Sequence, residues 1–596
     1  MSLLDDASLL VTPNAEKEGK LYSIIPTNGN GDFSVTRATT ATRVNAAGLV
    51  ELVPYNLLQQ SEVFSNAAWT KSGSTISANT TTAPNGTLTA DTLIENTANT
   101  THQIFQSITS GITGANQYTA TLYVKQYSTS NRNIALRIQD NAFTFGGVIA
   151  VFNPATGALV TSSTTLSGVI VSTSSTLVNG FYRIAVTFTI ASSTAFRYDV
   201  VLYNGTSNSY LGDGVSGVNI WGTQLNEGSS LDYQMTETRL NIPRLDYSLG
   251  SCPNILLEPQ RTNLVLWSEQ FDNATWNKNA ATITANSTTS PSGLSNADTM
   301  TGDGTSLFHG ISQNASVVSG TTYTISVYAK KNTNNFIQII GGIVTFGSNV
   351  WANFDLNNGV VGSVGSSTTA RIENAGNGWY RCIITGAAIL TTLNAAPFYS
   401  LVTSATSARA ETNTLSTSVF LWGAQLEAGA YPTSYIPTSS ASVTRNADVI
   451  SRGNIFTNGL ITSSGGTWFV DLRDNRTIIR DTFATLSIFQ TSATTNSFVF
   501  FNHSSGAGGR IQISKFISGT ATTLYTTTSS TSKIAIKWNG TTADIFENGV
   551  KVVSATAFTT TNMDSLTSGS GLRATFNSMA LFPTPLTDTQ CIALTT

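Results

Sequence analysis

Charge is what this chain is short of. Asp, Glu, Lys and Arg make up 11% of its 596 residues, less than half of the roughly 25% usual for a soluble domain. Thirty basic residues face 33 acidic ones, for a net charge of −3, so there is no basic field to hold a nucleic-acid backbone. Histidine and cysteine occur three times each. Cys252, Cys382 and Cys591 are too few and too dispersed for a disulfide framework or a metal-ligand pattern, and they read as small buried apolar groups. No apolar run is long enough to span a bilayer. The opening Met1-Ser-Leu-Leu-Asp-Asp lacks the basic and apolar regions of a secretory signal, so synthesis in a cytoplasm without membrane insertion is expected. HExxH, GxSxG and Walker-type motifs are absent, as is helical periodicity of ordinary length. An enzyme is not expected.

Ser, Thr, Asn and Gly fill the space that charge leaves. With 40% hydrophobic and 9% aromatic residues the chain can still bury cores, which excludes general disorder. Its most informative feature is a long internal copy. Asn56-Leu57-Leu58, Ser61-Glu62, Phe64, Asn66-Ala67 and Trp69 recur as Asn263-Leu264-Val265, Ser268-Glu269, Phe271, Asn273-Ala274 and Trp276. The match continues through Ala90-Asp91-Thr92 and Ala297-Asp298-Thr299. It then runs through Tyr118–Lys125 and Tyr323–Lys330, and through Trp221-Gly222 with Gln224-Leu225 and Trp422-Gly423 with Gln425-Leu426. A unit this long is a whole domain and not a solenoid repeat. Tandem binding domains gain avidity, whereas a duplicated active site gains less.

The copied blocks read as strands. Tyr118, Ala120, Leu122 and Val124 alternate with Thr119, Thr121, Tyr123 and Lys125, and the second copy keeps the division. Period-two alternation with one apolar face marks a half-buried antiparallel strand. The expected fold class is all-β, a tandem of antiparallel β-sandwich (jelly-roll) modules. The same alternation places Trp422, Ala424 and Leu426 on one side and Gln425 on the other.

The chain divides as 1–55, an N-terminal segment; 56–240, the first module; 241–262, an extended ribbon carrying Pro243, Pro253 and Pro259; 263–445, the second module; and 446–596, a further β-module. In the last, Asn539-Gly540 and Asn548-Gly549 mark hairpin turns. The sequences RATTATRVNAAGLVE before the first copy, IPRLDY…CPNILLEPQRTNL before the second and SExFxNAxW opening each copy resemble a family of bacteriophage and prophage virion proteins. These are head- or tail-fibre components with carbohydrate-binding-module-like jelly rolls, and the resemblance covers about residues 33 to 445. The last module resembles concanavalin A/laminin-G-like sandwiches. The resemblance implies location in a virion, with the N-terminal segment anchoring to other capsid or tail proteins. It further implies assembly as a homo-oligomer, a homotrimer, and attachment to host-surface glycans. The alternatives are capsid or tail decoration without glycan affinity, and a surface-polysaccharide depolymerase.

Candidate sites follow from the residues kept in both copies. Tyr123 and Tyr328 fall on the polar face of their strand, where an exposed ring could stack on a sugar; cross-strand packing is the alternative. Gln224 and Gln425 are the ligand candidates beside Trp221 and Trp422, which read as core. His102 and His309 could donate to sugar hydroxyls or pack at a strand end. Asp91 and Asp298 could ligate a structural calcium, against the alternative of a loop aspartate closing an Asx-turn. No catalytic set is retained in both copies.

Overall fold

A computed structural model describes residues 3–109, 112, 116–128, 130–191, 193–395, 397–462, 465–473, 486–489, 497–503, 511–517, 520–528, 531–558 and 564–596. The architecture is all-β and antiparallel. Two compact units form it: Pro54–Arg239, and Met1–Val53 together with Leu240–Thr596.

Pro54–Arg239 is a sandwich of two six-stranded sheets. One sheet runs Thr70–Ser72, Gln103–Ile108, Phe196–Tyr203, Asn133–Asp140, Gly146–Phe152, Leu159–Leu166; the other runs Ser74–Thr81, Ala90–Glu95, Gly217–Glu227, Gln117–Gln126, Phe181–Ile190, Gly168–Val178. The second copy repeats this order. Its sheets are Asn277–Asn279, Gly310–Ser312, Phe398–Leu401, Phe336–Ile340, Trp351–Asp355, Val360–Val364 and Ala281–Thr288, Ala297–Gly302, Ser418–Ala428, Thr322–Lys331, Trp379–Ala387, Thr369–Asn374. The apolar face read from Tyr118–Lys125 lies in the core, where Tyr118, Ala120, Leu122 and Val124 pack with Ile184, Val186 and Phe188. Fully burying each larger aliphatic side chain here stabilises by about 1.5–3 kcal/mol.

The SExFxNAxW motif closes one end of each sandwich. Phe64 and Trp69 lie 5.3 Å apart and Phe271 and Trp276 5.0 Å apart, all four buried. The indole N–H of Trp69 donates to the carbonyl of Gln60 at 3.0 Å, and that of Trp276 to Trp267 at 3.1 Å. Gln60 and Trp267 are both left-handed, with φ of 49° and 51°, a conformation non-glycine residues adopt only when the surroundings enforce it. Asn56 and Asn263 each donate to two backbone carbonyls of the closing strand and of the segment that follows it.

In the second unit the N-terminal segment is no independent piece. Leu9–Lys17 pairs with Lys20–Ile25 on one side and with Ala574–Phe582 on the other. Phe33–Thr36 then pairs with Val449–Gly453. Ala574–Phe582 continues the same sheet through Gly466–Leu472, Ser532–Trp538, Thr542–Glu547 and Val550–Ala557. The separate 1–55 segment expected from sequence is therefore corrected: its strands lie in the sheet of the last module, because Leu9, Val11, Leu21, Phe33 and Val35 share that module's core. The Pro-rich ribbon joins it too, Asn254–Leu257 pairing with Ala574–Phe582. Helix Asp588–Thr595 starts in a Thr587/Gln590 capping box and seats Cys591 on the outer face of the sheet with Phe469, Phe546 and Phe582. Cys252 is exposed, unlike Cys382 and Cys591.

A buried ionic cluster ties these segments. Arg37, Arg244, Arg445 and Arg573 and the carboxylates of Glu258 and Asp448 are each 1% exposed. Arg37 donates to Asp448 at 2.6 Å, and Arg244 to Glu258 at 2.8 Å and Ser434 at 2.7 Å; Arg244–Asp448 and Arg445–Glu258 complete it. Burial alone would push both carboxyls up, but for Glu258 the guanidiniums of Arg445 and Arg244 outweigh it, and for Asp448 those of Arg244 and Arg37 do so. Both sit below the usual carboxylate range, Glu258 well below.

Candidate functional site

The residues shared by both copies turn out to be scaffold. Tyr123 and Tyr328, expected on an exposed groove, are 8% and 6% exposed. Tyr123 meets Trp221 edge-on at 5.3 Å and Tyr233 at 6.0 Å, and Tyr328 meets Trp422 and Tyr435 at 5.3 and 6.1 Å. Alternation identified their face correctly, but the chain after the closing strand folds back over that face with Tyr233 and Tyr435. Gln224 and Gln425, expected to reach a ligand, are fully buried. Each carboxamide oxygen accepts a backbone N–H of the covering segment, from Gln234 or Ile436 at 2.8 Å, while the amide donates to Asn226 at 3.0 Å or Glu427 at 2.8 Å.

The side assigned to Trp422 is also corrected. Trp422 packs outside with Tyr328, whereas Ala424 and Leu426 lie in the sandwich core. A register shift falls between Ser326 and Tyr328 opposite Gly423, and the first copy has its shift opposite Gly222. Both glycines are left-handed, with φ of 54° and 62°. One extra residue at a bulge moves every later side chain to the other face.

His102 and His309 are fully buried, each with both ring nitrogens against backbone carbonyls: Gly73 and Tyr210 in one copy, Ala280 and Asn413 in the other. Asp91 and Asp298, the calcium candidates, are strand residues whose two oxygens are already taken. Asp91 accepts the N–H of Phe64 at 3.1 Å and of Asn79 at 2.9 Å; Asp298 accepts those of Phe271 at 2.8 Å and Asn286 at 2.9 Å. They clamp the motif loop and a left-handed asparagine, and they are not the loop Asx-turns of the alternative reading. Burial pushes Asp298 up to about 6. Among the described residues no cluster of three or more His, Cys, Asp or Glu could hold a metal ion.

A candidate surface emerges where the copies differ. Strand pairing sets Phe105, Asp199, Arg137 and Ile149 in one row across the outer face of the first module's sheet, with Ser107, Arg197 and Gln139 in the adjacent row. Asp199 is fully buried. One of its oxygens receives Arg137 at 3.1 Å and Arg197 at 2.8 and 2.9 Å, while the other has no protein partner. Arg137 also donates to the amide oxygen of Gln103 at 2.5 Å. The Arg197 guanidinium lies 3.6 Å from the centre of the Phe105 ring and 5.7 Å from that of Phe143. Phe143 is 55% exposed. Two guanidiniums against one carboxylate leave a local excess of positive charge beside an accessible ring, a set able to bind planar polar groups and stack on an apolar sugar face.

The second module lacks this set. Pairing places Ser312, Phe398, Ile340 and Trp351 in one row, where the first module has Phe105, Asp199, Arg137 and Ile149. In the adjacent row Gln338 and Asn353 bond to each other at 2.6 Å and to the carbonyls of Ala408, Ala405 and Ser407, so a loop covers that row. A search for residues kept in both copies passes over such a site; the available signal was the gain of Phe105, Arg137, Arg197 and Asp199 in one copy only. A second concavity, an open groove of about 960 Å³, lies between Ser248–Asn254 and the last module at Asp471, Arg473, Lys533 and Asn577. It is polar and has no aromatic lining.

No family model matches the chain, and no curated protein does. Among solved structures it is similar to the N-terminal CBM22-1–CBM22-2 tandem domain of Paenibacillus barcinonensis Xyn10C. The likeness spans 63% of this chain and 97% of that one, at 10% identity and a TM-score of 0.18, a distance at which it bears on neither ligand nor role.

Proposed function

We propose that this chain is a non-enzymatic display protein that binds glycans through the outer face of its first module. The observation that carries the reading is the Phe105–Arg197–Phe143 stack joined to Arg137, Asp199 and Gln103. It offers donors and acceptors on a sheet and an exposed ring in the adjoining turn, the elements sugar recognition draws on. The excess of guanidinium over carboxylate favours an acidic glycan. The motif resemblance supports a place on a bacteriophage head or tail fibre, made in the host cytoplasm and attached to the particle through the unit that contains the N-terminal strands. Display of several copies would raise weak contacts to useful avidity.

Titrating purified chain with acidic and neutral host-surface polysaccharides tests this. R197A and F143A are each expected to weaken binding at least tenfold, acidic polymers being preferred; F143A, at an exposed ring, is expected to leave melting unchanged, which separates lost binding from lost stability. Undiminished affinity in R197A/F143A, or no glycan binding by the parent chain, would overturn it, and the latter would leave a purely structural role.

A further inference from the structure

The first module is edged by two strands that are largely open to solvent. Every residue of Leu159–Leu166 is exposed, and of Gly168–Val178 only Gly168 is buried. A strand lying on a core shows one buried face; Leu159–Leu166 shows none, and Gly168–Val178 has only Ile170 and Val178 half-buried against the module's apolar clusters. Each is also, among the described residues, the outer strand of its sheet, with one row of backbone N–H and C=O groups not joined to a further strand. Leu159, Leu166, Val169, Val171 and Leu177 are 44%, 78%, 53%, 53% and 60% exposed.

Sheet edges of this kind are normally shortened or charged to prevent pairing with another chain. The second module does both. Its counterparts, Val360–Val364 and Thr369–Asn374, have 5 and 6 residues against 8 and 11, and the latter carries an Arg371–Glu373 ion pair at 2.7 Å. In the first module no charged residue occurs anywhere between Asp140 and Arg183. One copy is thus protected and the other is left open.

We infer that Leu159–Val178 is a self-association surface, Gly168–Val178 pairing antiparallel with the same strand of a second copy about a two-fold axis. Three features favour a second copy over a foreign partner. Two-fold pairing sets residues near the axis opposite themselves, so any charge would meet its like; complete neutrality is what such an edge requires. Its run of Ser and Thr can hydrogen-bond across an identical strand. The area is also sufficient. If each of the two strands' residues loses roughly 40 Å², one copy contributes about 760 Å², close to the ~800 Å² per partner of a stable interface. This contact is independent of the glycan reading, and either can fail without the other.

The test is the mass of the full chain in solution by light scattering across micromolar concentrations, for the parent and for S172K/S174K. Both serines are exposed on the edge strand, so the fold is expected to survive; equal melting temperatures verify this. The parent is expected to self-associate with a two-fold contact and the double-lysine variant to weaken it at least a hundredfold. S172E/S174K, which sets opposite charges across the axis, is expected to recover part of the loss. A parent chain monomeric at tens of micromolar would overturn the inference. So would association that S172K/S174K leaves intact, since the contact would then lie elsewhere.

Discussion

Replacing Asp448 by Asn tests whether charge balance holds the second unit together. Asp448 receives Arg37 and Arg244 through its side chain, and one oxygen also accepts the backbone N–H of Glu258 at 3.0 Å. The cluster already buries four guanidiniums against two carboxylates; the neutral amide widens the imbalance and turns N–H groups toward N–H groups. Breaking one partner of a buried ionic set costs about 3–5 kcal/mol. The second unit has about 410 residues, and at ~2.1 cal/mol/K per residue its unfolding entropy is about 0.9 kcal/mol/K. A 4 kcal/mol loss then lowers its melting temperature by about 4–5 °C. Scanning calorimetry of the full chain is the assay, with the transition of Pro54–Arg239 as an unmoved internal reference. Arg37→Met in the D448N background removes an orphaned cation and is expected to recover part of the loss, whereas alone it destabilises. A D448N shift under 1 °C, or additive losses in the double variant, would refute the charge argument.

Between pH 4 and 7 the second module is expected to lose up to roughly 3 kcal/mol through Asp298, whose folded value of about 6 stands above the unfolded 3.8. The folded state holds that proton more tightly, so stability is greatest below pH 3.8 and declines as pH rises to 6. D298N should flatten the denaturant midpoint across that window, and an unchanged slope would contradict the assignment. Gly423→Ala forces a side chain into φ 62° with its Cβ 3.0 Å from the Tyr328 ring. It should cost about 1–2 kcal/mol in urea unfolding, and Gly222→Ala the same in the first module; a neutral result would mean that the bulge relaxes.

Much of the scaffold was legible because it is local. The alternation of Tyr118–Lys125 gave strand and face, and Asn548-Gly549 gave the turn between Thr542–Glu547 and Val550–Ala557. Three things were not. The bulges at Gly222 and Gly423 are single-residue register changes that alternation cannot register. The covering of Tyr123 and Tyr328 depends on where a non-repetitive segment returns. Pairing of Leu9–Lys17 with Ala574–Phe582 joins residues no local pattern connects. The site was missed for a different reason: shared residues report what both sandwiches need to stand, and Arg137, Arg197, Asp199 and Phe105 belong to one copy alone.

That long-range pairing also sets a clock. Leu9–Val11 leaves the ribosome some 570 residues before its partner Met579–Leu581, an interval of about 30–110 s at ~5–20 residues per second. Pro54–Arg239 carries its own core and can fold while the first strands wait. The strands beside Leu9–Lys17 reach their final sheet only when translation has passed Phe582. Chains broken off earlier would carry a folded first module and an incomplete second unit, a state open to proteolysis.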